Sequence, residues 1–172
     1  MNKLASYIDR FTEQCGKLIS WLTLAIVVLI GFDVLFRYAF NKSTAALFEL
    51  EWHLFAMLFM LGLAYTFKYD KHVRVDVFYT RFSTKKKALV NLLGTALFLI
   101  PFCIVVIKTS VPFVLASYQI LESSADPGGL PYRFIIKAMI PVGFTFLLLQ
   151  AVSELIKSWA QLTDDQIKDS ND

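Results

Sequence analysis

Histidine and cysteine are nearly absent from this 172-residue chain, which holds two of each. His53 and His72 would stand about 28 Å apart along one helix, too far to serve as axial ligands of one haem. Cys15 and Cys103 form no CxxC, no metal-ligand spacing and no disulfide framework. Charged residues make up 18%, against about 25% in an average soluble domain. The net charge of +3 is too slight for a nucleic-acid binder, which clusters Lys and Arg beside stacking aromatics. With no nucleotide loop, nucleophile elbow or zinc helix in the chain, the residues predict neither an enzyme nor a cofactor protein.

Hydrophobic residues make up 56%, with sixteen Phe, seven Tyr and three Trp. A small domain cannot hide that load, because much of its surface stays wet. A soluble monomer and a disordered chain are both excluded. Crossing a hydrocarbon core takes about 20 apolar residues in a helix. Four segments qualify, at about 18–36, 44–67, 88–107 and 134–156. They are solidly apolar, whereas barrel strands alternate. The pattern predicts an all-α integral membrane protein with one four-helix domain over 1–162 and a polar tail over 163–172.

Basic residues give the orientation. Twelve Lys and Arg fall in the N-terminus, the loop after span two and the tail, against five at or near the other side. Both termini are therefore expected in the cytoplasm. Leu4, Ile8, Phe11, Cys15 and Leu18 recur at helical spacing, which predicts an N-terminal amphipathic helix lying on the inner leaflet before span one, with a plain extension of that span as the alternative. Asp9 and Glu13 and the lack of an A-x-A-like site argue against a cleaved leader. Val111 to Leu121 is apolar enough to prolong the third helix, and the tail past Thr163 is expected to be disordered.

The polar residues inside or beside these spans are the candidate sites. Asp33 and Arg37 stand four apart in the favourable order for a helical ion pair. Glu49, Glu51, Trp52 and His53 crowd the start of span two, where carboxylates are stabilised by the helix dipole. That cluster suits a subunit contact or helix cap, with a proton or cation site as the alternative. His72, Arg74 and Asp76 alternate with valines in the following loop, and Lys85 to Lys87 precede span three, positioned for anionic headgroups. Pro127, Gly128, Gly129 and Pro131 punctuate the loop between Glu122 and Arg133.

Arg37-Tyr38, Glu49-Leu50-Glu51-Trp52-His53, Gly62 and His72-Val73-Arg74-Val75-Asp76, in that order over about residues 18–156, resemble the small membrane subunit (DctQ-like) of tripartite ATP-independent periplasmic, or TRAP, transporters. The run from Ser124 to Tyr132 resembles a subgroup of the same family. Many members carry adjacent acids after the Trp, whereas here Glu49 and Glu51 precede it. The resemblance implies a scaffold in a bacterial inner membrane, packed on the stationary part of a large multi-span subunit that moves organic anions with sodium. It also implies a periplasmic binding protein as a further partner, with no cofactor in this chain and the sodium sites in the large subunit. Asp33, Arg37, Glu49, Glu51, Trp52, His53, His72, Arg74 and Asp76 are then candidates for subunit contacts or structural roles. Asp126 and Arg133 are candidates for docking the binding protein. A self-contained four-helix oligomeric channel or small carrier is the alternative reading, and the lack of an internal polar row argues against it.

Overall fold

Thr44 and Ser83 each cap a helix: their hydroxyls accept the backbone N–H groups of Leu47 and Lys86, three residues on. Such caps satisfy donors that the first turn leaves free. A computed structural model describes residues 3–41, 44–69, 79 and 82–169. Among them the helices are α1 (Lys3–Phe40), α2 (Ala45–Lys68), α3 (Thr84–Gly94), α4 (Ile100–Gln119) and α5 (Phe134–Asp169), with no strand. A π turn, Thr95–Leu99, joins α3 and α4 into one rod. Among the described residues four helical stretches are long and apolar enough to cross a membrane: Lys3–Phe40, Ala45–Lys68, Lys85–Gln119 and Phe134–Thr163.

Two expectations change. The predicted interfacial helix and the first span are a single helix of 38 residues, about 57 Å long. No proline interrupts residues 3–40, so nothing forces a turn between the two segments. The segment after Thr163 also keeps a helical backbone as far as Asp169. The third helix runs to Gln119, as the apolar stretch after Val111 predicts.

Helix α5 touches every other helix, whereas α1 packs on α2 and is hydrogen-bonded to α5 through Ala5, Asp9 and Thr12. Buried positions follow a seven-residue count. In α1 they include Ala5, Thr12, Ile19, Ile26 and Asp33; in the third rod they are Ala88, Thr95, Cys103, Ser110 and Ser117. A heptad of this kind keeps one seam facing its neighbour in nearly parallel helices. The single eight-residue step, Thr95 to Cys103, spans the π turn. There the Ile100 N–H reaches back five residues to the Thr95 carbonyl. Pro101 follows at the start of α4, and its missing N–H and bulky ring disfavour a regular turn at that point. Opposite, Gly143 of α5 lies so close to α2 that a Cβ would stand 2.8 Å from the Met60 carbonyl carbon. Such close approach of small residues is how membrane helices pack.

Much of the outer surface is apolar. In each of the first three spans 11% of the most apolar stretch is buried within the chain, and in the fourth 28%. Leu18, Val28, Leu35, Phe55, Phe98 and Phe102 are among the exposed side chains.

Candidate functional site

The loop between α4 and α5 is tied together by its own backbone. Ser124 N–H donates to the Leu130 carbonyl and Gly129 N–H to the Asp126 carbonyl, both at 3.0 Å, while Arg133 N–H reaches the Glu122 carbonyl at 2.7 Å. Asp126-Pro127-Gly128-Gly129 has Pro second, a third residue at φ +78° and a bond from the fourth to the first. Those are the marks of a type II turn.

Glu49 fastens this loop to the bundle. It sits in the second turn of α2 and is 2% exposed. Its carboxylate accepts the Ser124 hydroxyl and, at 2.6 Å, the Leu130 N–H. The Arg133 guanidinium stands 3.7 Å away and also lies over the Trp52 ring, 5.7 Å from its centre. A Cβ on Gly129 would come within 2.5 Å of the Ser124 side chain and 2.8 Å of Glu49 Oε2. Glycine there leaves room for the carboxylate to reach Leu130. His53 is buried on the same helix face, and its Nδ1 donates to the Glu49 carbonyl oxygen. That bond places the proton on Nδ1.

Below the loop, Lys137 donates to Glu122 and lies 4.2 Å from the Phe113 ring centre. The Lys137 ammonium holds the Glu122 carboxyl below its ordinary value of 4.5. On α1, Asp33 is buried and bonded to Arg37, while its Oδ1 has no hydrogen-bond partner among the described residues; Glu51 Oε1 on α2 is likewise buried without one among them.

The structure thus brings together Glu49, Trp52, His53 and Arg133, and keeps Asp33 with Arg37 as a separate pair. Arg133 turns inward to Glu49, whereas Asp126 is exposed at the turn. His72, Arg74 and Asp76 lie outside the described residues. Sequence reasoning missed Ser124 and Leu130 as partners of Glu49.

It also missed a second polar cluster at the opposite end. There Gln150 donates to Asp9 Oδ1 at 2.9 Å and accepts from the Thr12 hydroxyl at 2.7 Å. The Ser153 hydroxyl reaches Asp9 Oδ1 at 2.7 Å. Lys157 pairs with Asp9 and Glu154, and Lys68 with Glu13. Gln150, Ser153, Glu154 and Lys157 recur at three- and four-residue steps in an otherwise apolar helix. That spacing puts them on one face, which is the signal that could have found them.

Four membrane-length helices, with polar contacts that fasten a loop and the helix ends to one another, define a multi-span helical membrane protein. The chain belongs to the family of tripartite ATP-independent periplasmic transporters, DctQ component, whose model matches residues 26–161. It is also similar to a Haemophilus influenzae protein named as a TRAP transporter small permease protein. The two are 25% identical over 156 residues, covering 90% of this chain and 94% of that protein.

Proposed function

We propose that the chain is the small permease subunit of a sodium-coupled TRAP transporter for organic anions, carboxylates or sulfonates. In this reading it is a scaffold in a bacterial inner membrane, with both termini in the cytoplasm. It packs on the stationary part of a large multi-span subunit, which binds sodium and carries the anion. The loop between α4 and α5, fastened by Glu49, faces the periplasm and helps dock the substrate-binding protein through Asp126 and neighbouring backbone. Asp33, Arg37, Glu51, His72, Arg74 and Asp76 support assembly with the large subunit.

The observation that carries this reading is the distribution of polar and apolar surface. The buried acids Asp33 and Glu49 lie near one end and Gln150 near the other, while the spans expose hydrocarbon over most of their area. A carrier needs ionisable or polar groups along its path; a scaffold needs apolar flanks and firm ends. The test is co-purification with the large subunit in mild detergent, followed by sodium-driven uptake in proteoliposomes holding all three components. Uptake undiminished without this chain would refute the reading. Flux through liposomes holding this chain alone would favour an oligomeric channel or small carrier.

A further inference from the structure

Two bulky residues of the loop between α4 and α5 hold left-handed backbone. Helix α4 ends in the bonding pattern of a Schellman motif: Leu121 N–H donates to the Tyr118 carbonyl and Glu122 N–H to the Ser117 carbonyl, both at 3.0 Å. Such a motif ordinarily places glycine at its left-handed position, because a Cβ is disfavoured at positive φ. Here that position is Leu121, at φ +46° and 55% exposed. Tyr132, just before α5, has φ +62° and is 50% exposed. The bond from Arg133 N–H to the Glu122 carbonyl brings these two ends of the loop side by side. Ile120, beside Leu121, is 73% exposed. Tyr118 and Tyr132 both meet the Phe134 ring edge to face, with centres 5.1 and 6.0 Å away.

Polar pairs give the level of this cluster in the membrane. Glu49 and Lys68 on α2, and Lys137 and Lys157 on α5, stand about 30 Å apart along their helices, the thickness of a hydrocarbon core. Phe134 lies about one helical turn beyond Lys137, and the ion pair of Glu122 with Lys137 ties the loop to that level. Tyr118, Leu121 and Tyr132 therefore fall in the headgroup layer, where rings with an apolar body and a polar tip settle. We propose that Ile120, Leu121 and Tyr132 anchor both ends of the loop at the lipid boundary, leaving Asp126 and Gly128 of the turn in water. A leucine held at positive φ is strained, and in water its exposed side chain would offset none of that cost. At the lipid boundary its apolar surface leaves water, which does. That offset accounts for a leucine where a glycine would fit. The anchor rests on the membrane-spanning fold alone and does not depend on the transport reading.

The test reconstitutes the full-length chain, carrying Cys15→Ala and Cys103→Ala, in vesicles of phosphatidylethanolamine and phosphatidylglycerol. Ile120→Cys, Leu121→Cys, Tyr132→Cys and, as the control, Asp126→Cys are each labelled with bimane. Quenching is read with phospholipid bearing a nitroxide at the top of an acyl chain, and with iodide on both sides of the membrane. Lipid quenching at the first three positions should exceed that at Asp126 by about threefold, and iodide should give the reverse order. Thermal unfolding checks that each variant is folded. If Leu121→Cys or Tyr132→Cys does not fold, Ile120→Cys decides, since its backbone, at φ −96°, is not left-handed. Equal iodide quenching at all four positions would overturn the proposal. So would iodide quenching at Ile120 that disappears only when a periplasmic binding protein is added, because the surface would then belong to that protein.

Discussion

The two ends of the bundle are held by different means. At the loop end one carboxylate, Glu49, organises an irregular segment by accepting Ser124 and Leu130 and pairing with the charge of Arg133. At the terminal end the contacts are shared: Asp9, Thr12, Glu13, Lys68, Gln150, Ser153 and Lys157 link three helices that are already regular. The loop's backbone bonds close it on itself but leave the Leu130 N–H and the Ser124 hydroxyl to one outside partner. Helices need such contacts only to fix how they lie against one another. A single failure should therefore matter more at the loop end.

Glu49→Ala is the sharpest way to break that contrast. It leaves the Leu130 N–H without its acceptor and the Arg133 guanidinium without its counter-charge, so limited proteolysis between Ser123 and Tyr132 should speed up on the order of a hundredfold. Gly129→Ala should reproduce part of the effect, by pushing Ser124 away from Glu49. Cleavage at the wild-type rate in both variants would show that the loop holds itself. At the other end Gln150→Leu removes the bonds to Thr12, Asp9 and Glu154 from a buried side chain and should cost about 2 kcal/mol, read from unfolding in detergent. Ser153→Ala should cost about 1 kcal/mol, because Gln150 and Lys157 still hold Asp9. A loss at Ser153 as large as that at Gln150 would mean that the terminal cluster is not shared after all.

The smallest effect concerns acid. The carboxyl of Glu122 titrates lower in the folded chain than its ordinary 4.5, so its pair with Lys137 contributes fully above that value. The contribution fades as the pH falls through the lower folded value. Thermal stability between pH 7 and pH 3 should fall less in Glu122→Gln than in the parent chain. Equal slopes would assign the acid sensitivity to other carboxylates.

Much of this architecture was legible in the sequence. The four spans, the lengthened third helix and the turn at Pro127-Gly128 each follow from local composition. The crowding of Glu49, Trp52 and His53 at the start of α2 marked a special place, yet its partners lie 75 and 81 residues away. No local pattern encodes that distance. The N-terminal helix misled for a different reason. Its apolar stripe, including Leu4, Phe11 and Leu18, is exposed as a lipid-facing stripe would be while Ala5, Thr12 and Gly16 are buried, but the helix runs on into span one without the expected turn. An apolar stripe marks the inside when water is outside; beside lipid the small and polar residues mark the inside instead. Read that way, the recurrence of Ala88, Thr95, Cys103, Ser110 and Ser117 was available from the start.

The π turn gives the third span two independently aligned halves. Removing Pro101 would restore a regular helix and leave the same residues facing α5. Inserting one residue would rotate the far half by about 100° and swing Cys103, Ser110 and Ser117 out toward lipid. Lengths that look interchangeable along the chain are therefore unequal in effect: the span tolerates subtraction at this joint and punishes addition. It behaves as two rods keyed to one partner and joined by a one-residue slip.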